Sequence, residues 1–176
     1  MKSKRSFVFT IMCAVLFISI FATACKPADN RSPSQKSNEY IKECDFSFSN
    51  IDEVSVEEEE CMHRSTYKIK KGESQEKDKA ILQVLDAWIA FQNDVVFNDE
   101  INGWDKGTVG GTLYIIKCVF TDGSSVQIHK NSFMNNYVLN EIDACQLDDE
   151  NVYDSFLRDI MDIMKKDEYM TYHIDY

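Results

Sequence analysis

Gly111-Thr-Leu-Tyr-Ile-Ile-Lys-Cys-Val-Phe120 carries the strongest strand pattern in the sequence. Its alternating side chains are apolar on both faces. One face carries Leu113, Ile115 and Val119, and the other Tyr114, Ile116, Cys118 and Phe120. This pattern is typical of a strand in the middle of a sheet that is covered on both sides. Residues 111–120 therefore predict the central strand, around which the rest of the domain is arranged.

The segment after this strand predicts a hairpin. Asp122-Gly123 is a strong two-residue turn signal, because both turn positions need positive φ, and Ser125–His129 returns with alternating apolar residues. Weaker strand patterns lie at residues 44–56, 64–70, 95–97, 133–139, 144–147 and 170–176. The last of them predicts a C-terminal edge strand.

Two helices complete the predicted fold. Ser74 stands at an N-cap position before residues 75–91, whose apolar stripe includes Trp88. Asp148 or Asp149 caps a second helix, with a buried stripe of Val152, Phe156, Leu157, Ile160, Ile163 and Met164. The fold class is therefore α+β: an antiparallel sheet of about five to six strands with two α-helices, forming a single domain over residues 41–176.

The N-terminal segment has the layout of an export signal. Lys2, Lys4 and Arg5 precede an apolar run from residue 7 to 21, and small residues then lead to Cys25. Ala22-Thr-Ala-Cys25 resembles the lipobox of bacterial lipoprotein signal peptides, with Ala22 where that family usually has leucine. The resemblance implies that residues 1–24 are a signal peptide and that Cys25 is lipidated and becomes the new N-terminus. The order of elements in the mature domain is also loosely similar to that of small lipoproteins of Gram-positive bacteria whose domains have no assigned function.

The residues alone leave two alternatives for this segment: an ordinary signal peptide and an uncleaved membrane anchor. Each of them places the following domain outside the cell membrane, because the basic residues hold the N-terminus in the cytoplasm. A diacylated cysteine supplies the two hydrocarbon chains that stable anchoring requires. We therefore expect the protein at the extracytoplasmic face of the cell membrane, held there through a lipid anchor.

The segment after the lipobox is polar. Residues 26–38 hold both prolines of the chain and no apolar residue larger than alanine. Such a composition cannot bury enough surface to offset the entropy of ordering. Residues 25–40 are therefore predicted to be the lipidated cysteine and a disordered tether.

The charge of the chain restricts its partners. The net charge is −11, and it falls to −14 on removal of residues 1–24, which carry three basic and no acidic residues. A chain this acidic is repelled by nucleic acid, and nucleic-acid binding is therefore excluded. An envelope protein or a cationic ligand remains allowed, and an acidic surface that serves solvation alone is the simpler alternative.

Four cysteines follow the lipobox: Cys44, Cys61, Cys118 and Cys145. An even number in an exported domain allows two disulfides in three connectivities. Cys44 with Cys61 is the preferred pair, because these residues bracket the first predicted strand. Cys118 lies among apolar neighbours, where a buried free thiol is the alternative.

No catalytic or metal-binding motif stands out, and no cofactor is expected. His63, His129 and His173 are far apart in the sequence, and His129 and His173 fall on polar faces of predicted strands, where exposure to solvent is the simplest interpretation. Trp104 lies in a polar loop and is either an interaction anchor or a core residue.

The leading hypothesis is a non-catalytic, membrane-anchored surface lipoprotein that binds a partner or ligand at the cell envelope. An extracytoplasmic hydrolase that uses carboxylates is the alternative, since the 30 acidic residues leave such pairs open. A third hypothesis is a structural or inhibitory domain whose sheet edge pairs with another chain.

Overall fold

The computed structural model describes residues 29–60, 63–99, 111–131, 137–140, 142 and 145–175. The chain divides into two compact units, residues 1–31 and residues 32–176. The fold described below is that of the second unit.

A six-stranded antiparallel sheet forms the framework of this unit. Its strands are β1 (Ile51–Glu60), β2 (His63–Lys70), β4 (Leu113–Phe120), β5 (Ser125–Asn131), β6 (Tyr137–Leu139) and β8 (Met170–Asp175). They lie in the order β6-β5-β4-β1-β2-β8, so β4 is in the middle and β8 is at one edge. A small second sheet pairs β3 (Phe97–Asn98) with β7 (Gln146–Leu147). The predicted α+β class and its antiparallel sheet are confirmed.

Three helices lie among the described residues: α1 (Pro33–Glu43), α2 (Gln75–Asp94) and α3 (Glu150–Met164). The predicted caps of α2 and α3 are present, because the Ser74 and Asp149 side chains accept hydrogen bonds from the backbone of the first turn. None of the described helices has the length and apolar character needed to cross a bilayer.

Helix α1 corrects the predicted end of the tether. Residues 33–40 belong to this helix rather than to a disordered segment. Ser32 and Gln35 form a capping box, and Pro33 occupies the first helical turn, where its missing N–H costs nothing. Ile41 is fully buried in the domain core. Although residues 33–38 contain no large apolar side chain, the segment still folds, and the capping box and the buried Ile41 contribute to its stability.

One core joins the sheet to the helices. Trp88 of α2 is fully buried, stacks on Phe46 with ring centroids 5.1 Å apart and meets Phe156 of α3 edge-on at 4.8 Å. Val54, Ile116, Cys118, Val126 and other inward residues of the strands belong to the same cluster. Aromatic pairs of this geometry add about 1 kcal/mol each beyond burial. Trp88 is thus a core residue, as its position on the helix stripe predicts.

The central strand differs from its prediction on one face. Ile116 and Cys118 of β4 are buried against the helices, whereas Leu113, Ile115 and Val119 on the opposite face are only half-buried. Their cross-strand neighbours on that face include the ion pairs Arg64–Glu57 and Lys68–Glu53. The position in the middle of the sheet is therefore confirmed, but an equal covering of both faces is not.

The β4–β5 hairpin is present with a turn of a different kind. Gly123 has a φ of 86°, whereas Asp122 is not in the positive-φ region. Phe120 and Ser124 close a longer loop through a backbone hydrogen bond of 2.8 Å. The glycine thus supplies the one left-handed residue that this loop needs.

Candidate functional site

A cleft of about 510 Å³ opens at the end of the sheet where β4 turns into β5. The C-terminal end of α1, the turn before β1 and the hairpin loop form its walls. It is lined by Tyr40, Glu43, Cys44, Asp45, Asn50, Phe120, Thr121, Asp122 and Ser124. We call this feature the acidic cleft.

The α1 wall of the acidic cleft is fixed by hydrogen bonds to helix α2. Gln92 donates its side-chain amide to the carbonyls of Ile41 (2.6 Å) and Cys44 (2.9 Å). These carbonyls lie at the helix C-terminus, where the last turn leaves carbonyl groups short of intrahelical partners; the Ile41 carbonyl also accepts the backbone N–H of Cys44 (3.3 Å). Gln92 therefore holds the end of α1, and with it Glu43 and Cys44, against the core.

The hairpin wall is tied to the same framework. Thr121 donates its backbone N–H to the Asn50 carbonyl over 2.7 Å, and the Tyr40 hydroxyl donates to the Ser125 carbonyl over 3.0 Å. Asp45 accepts a hydrogen bond from the backbone N–H of Ser47 (3.0 Å) and another from the Asn50 side chain. The two walls are thus connected across the cleft rather than free to separate.

The cleft has a strongly negative lining. Glu43, Asp45 and Asp122 contribute carboxylates, and none of the lining residues is basic. Ser124 donates both its hydroxyl (2.6 Å) and its backbone N–H (2.9 Å) to Asp122, which lowers the pKa of that carboxyl below its ordinary value. Asp122 is therefore ionised at neutral pH. Each carboxylate has about four lone-pair positions, so the turn hydrogen bonds leave acceptor capacity for a ligand.

Cys44 is a thiol and not a nucleophile in this setting. Burial, and to a smaller degree the neighbouring Glu43 charge, raise the pKa of Cys44 to about 11. Its Sγ donates to the Tyr40 carbonyl over 3.3 Å. Since the thiolate is the reactive species, the cleft does not supply a reactive cysteine at neutral pH.

The cleft does not resemble a metal centre. Among the residues that the structure describes, no three His, Cys, Asp or Glu side chains come together in a way that could hold a metal ion. Its acidic residues line the cleft together with Tyr40 and Phe120, and aromatic rings attract cations. The arrangement suits an organic cation better than a bare metal ion.

A second cleft of about 410 Å³ shares Tyr40 with the first. Its other lining residues are Ser125, Gln127, Asn140 and Ile142, and none of them is charged. Tyr40 therefore stands between an acidic and a neutral depression. A ligand with one cationic end and a neutral polar remainder would match this pair of clefts.

Two described carboxyls have a shifted pKa. The pKa values of Asp99 and Asp122 are both lowered, because serine groups donate hydrogen bonds to them. Both carboxylates are therefore ionised at neutral pH.

Three of the four cysteines that follow the lipobox-like segment lie among the described residues. Cys44, Cys118 and Cys145 carry reduced sulfurs, and Cys61 is outside the described residues. The pair of Cys44 and Cys61 therefore stays a prediction.

The two histidines on predicted strands, His129 and His173, differ in their exposure to solvent. His173 is exposed, and its Nδ1 lies 2.8 Å from the Ser65 hydroxyl. His129 is half-buried, so its predicted exposure is wrong: its Nε2 is shielded without a hydrogen bond, and burial lowers its pKa. Trp104 and Cys25 lie outside the described residues.

Sequence reasoning did not single out the residues of the acidic cleft. The Asp-Gly signal placed Asp122 in a turn, but Glu43 was assigned to the beginning of the domain without the helix that positions it. The capping pattern Ser32-Pro-Ser-Gln35 was the available signal for this helix. Comparisons with protein-family models, with curated proteins and with solved structures give no match for this chain.

Proposed function

We propose that the protein is a non-catalytic lipoprotein, anchored through Cys25 at the extracytoplasmic face of the cell membrane, that binds a cationic ligand in the acidic cleft. The observation that carries the ligand class is the lining of the cleft: three carboxylates, two aromatic rings and no basic side chain. The anchoring rests on the resemblance of residues 22–25 to a lipobox.

The charge of the cleft favours an amine or guanidinium over a neutral molecule. Opposite charges about 4 Å apart attract by about 4 kcal/mol at the effective dielectric of a protein surface, before desolvation is subtracted. The rings of Tyr40 and Phe120 add cation–π attraction of about 0.5–1 kcal/mol at an exposed site. The excess of acidic residues over the whole chain also accelerates the encounter with cations.

Calorimetric titration with tri-lysine tests the ligand class, and tri-glutamate of the same length serves as the control probe. Asp122→Asn keeps an oxygen acceptor for Ser124 but removes the charge, so we expect the affinity for tri-lysine to fall about 5-fold. Asp86→Asn, on the exposed side of α2, changes the net charge equally and should alter affinity less than about 2-fold. Equal losses in the two variants would refute the cleft as the binding site.

Mass spectrometry of the N-terminal peptide tests the anchor separately. Protein made in a bacterial host that processes lipoproteins should carry an acylated Cys25 as its first residue. The variant Cys25→Ser should lose the lipid and be released from the membrane fraction. An unmodified N-terminus at Met1, or at a residue other than Cys25, would contradict the anchoring and leave the cleft proposal to its own test.

A further inference from the structure

A groove of about 280 Å³ lies between helices α2 and α3, and it shares no lining residue with the acidic cleft. Trp88 and Phe91 of α2 both meet Phe156 of α3, and Phe91 also meets Tyr153. Later residues of α2 thus face earlier residues of α3, so the two helices run antiparallel along the groove. We call this feature the helical groove.

The floor of the helical groove is apolar. Phe91 and Phe156 stack with their ring centroids 4.5 Å apart, and they keep only 2% and 3% of their surface exposed. Ala87 and Ala90 line the α2 side, and such short side chains let the backbone of another helix approach closely. The volume lies below the range of about 300–1,000 Å³ that is typical of small-molecule sites. The groove therefore suits a few apolar side chains better than a whole small ligand.

Carboxylates of one sign surround this floor. Asp94 of α2 and Asp149 and Asp159 of α3 line the groove, and none of its described lining residues is Lys, Arg or His. Asp149 and Asp159 are ten positions apart, which is about 15 Å along a helix. Asp149 accepts hydrogen bonds from Asn151, and Asp159 pairs with Arg158 over 3.6 Å in an exposed contact of the kind that contributes little. The groove thus has an apolar middle and negative charge toward both ends.

We propose that the helical groove binds an amphipathic helix of another protein, with apolar side chains on one face and lysine or arginine beside that face. The apolar side chains would cover Phe91 and Phe156, and the basic groups would meet Asp94 and Asp159. A second copy does not supply this complement, because the net charge of −11 makes copies repel each other. The site is independent of the acidic cleft and of the ligand proposed for it.

Fluorescence anisotropy with an 18-residue peptide of leucine, lysine and alanine, whose leucines form one helical face, tests this proposal. The full-length chain is held in zwitterionic nanodiscs, and the signal of empty nanodiscs is subtracted. Ala90→Phe adds a ring at an exposed position that lines the groove, so we expect the affinity to fall at least about 5-fold. Ile89→Phe is the control, because Ile89 is exposed but does not line the groove, and it should bind within about 2-fold of the wild type.

Charge variants test the rim separately. Asp159→Asn should lower the affinity for the peptide about 3-fold, because it removes one of the three carboxylates of the groove. Asp167→Asn changes the net charge equally at an exposed position beyond α3, and it should have a smaller effect. Asp122→Asn should bind the peptide like the wild type, which separates this site from the acidic cleft.

Each of four outcomes would overturn the proposal. They are no binding of the peptide, equal binding by the Ala90→Phe and Ile89→Phe variants, equal binding of a peptide with glutamate in place of lysine, and a doubled mass in light scattering that Ala90→Phe abolishes. If Ala90→Phe does not fold, methyl NMR of the wild type decides. The peptide should shift the methyl signals of Ala87 and Ala90, and unchanged signals would overturn the inference.

Discussion

Tyr153 illustrates at the residue scale how the core combines tight packing with an unpaired polar group. Its side chain is fully buried, and its ring meets Tyr137 at 4.9 Å between centroids. Lys130 places its ammonium 5.1 Å from the centre of each of these rings and forms an ion pair with Asp154 over 3.1 Å. The Tyr153 hydroxyl makes no hydrogen bond, and burial raises its pKa far above the ordinary value.

The unpaired hydroxyl predicts an unusual response to mutation. Tyr153→Phe removes a buried polar group without a partner, so the free energy of unfolding should stay equal or increase by up to about 1 kcal/mol. Tyr40→Phe removes a hydroxyl that donates to Ser125, so it should cost about 1 kcal/mol. Urea unfolding of both variants checks this difference. A loss larger than about 1 kcal/mol in Tyr153→Phe would show that the hydroxyl has a partner.

The raised pKa of Cys44 predicts that its reactivity depends on pH. Its pKa is raised to about 11 from an ordinary 9.0, so the thiolate fraction at neutral pH is lowered about 100-fold. Alkylation by iodoacetamide should therefore be slow at neutral pH and accelerate as the pH approaches 11. Because the folded state holds this proton more tightly, the contribution of Cys44 to stability is present below pH 9 and is lost between pH 9 and 11. Rapid alkylation of Cys44 at neutral pH, read by peptide mass spectrometry, would contradict the buried setting.

Helix α1 is the element on which the acidic cleft depends. Its amphipathic pattern is short and its composition is polar, so hydrophobic periodicity gave no signal. What holds it are contacts distant in sequence: the Asn38 side chain bonds both the N–H and the carbonyl of Phe97, and Ser34 donates its N–H to Asp99. Sequence reasoning recovered α2 and α3 because their apolar stripes are long. It missed α1 because long-range hydrogen bonds have no local pattern.

Removal of the α1 cap should weaken the domain. Ser32→Ala deletes the acceptor for the Gln35 N–H and half of the capping box, with an expected cost of about 1 kcal/mol in unfolding free energy. Ser47→Ala is the control, because Ser47 precedes a 3₁₀ turn and makes no side-chain cap there, and its cost should stay below about 0.5 kcal/mol. Equal thermal stability of the Ser32→Ala variant and the wild type would show that α1 contributes little to the fold.

For the whole molecule, the sheet was predictable from the sequence but the uneven covering of its two faces was not. The residues of β4 alternate with apolar side chains on both faces, and an Asp-Gly turn follows the strand. The uneven covering of the sheet was not predictable, since Leu113 and Val119 look as apolar in the sequence as Ile116 and Cys118. Which face receives the helices depends on their packing and not on the strand itself. The acidic cleft likewise joins Glu43 to Asp122 across 79 positions of sequence.

The acidic excess of the whole chain predicts a response to salt. With a net charge of −11, repulsion between surface carboxylates destabilises the compact state. Raising NaCl from about 10 to about 300 mM shortens the Debye length from about 30 Å to below 8 Å, so the melting temperature should rise. KCl should act equally, because the effect is screening and not specific binding. A melting temperature that falls with salt would show that the surface ion pairs outweigh the repulsion.

Binding of a cationic ligand in the acidic cleft is tested by a ¹H–¹⁵N NMR titration of the protein with tri-lysine, with backbone amides assigned. We expect the largest shifts at Cys44, Asp45, Asp122 and Ser124, and we expect these shifts to disappear in the Asp122→Asn variant at the same ligand concentration. Shifts spread evenly over the acidic surface, or concentrated away from these residues, would contradict binding in the cleft.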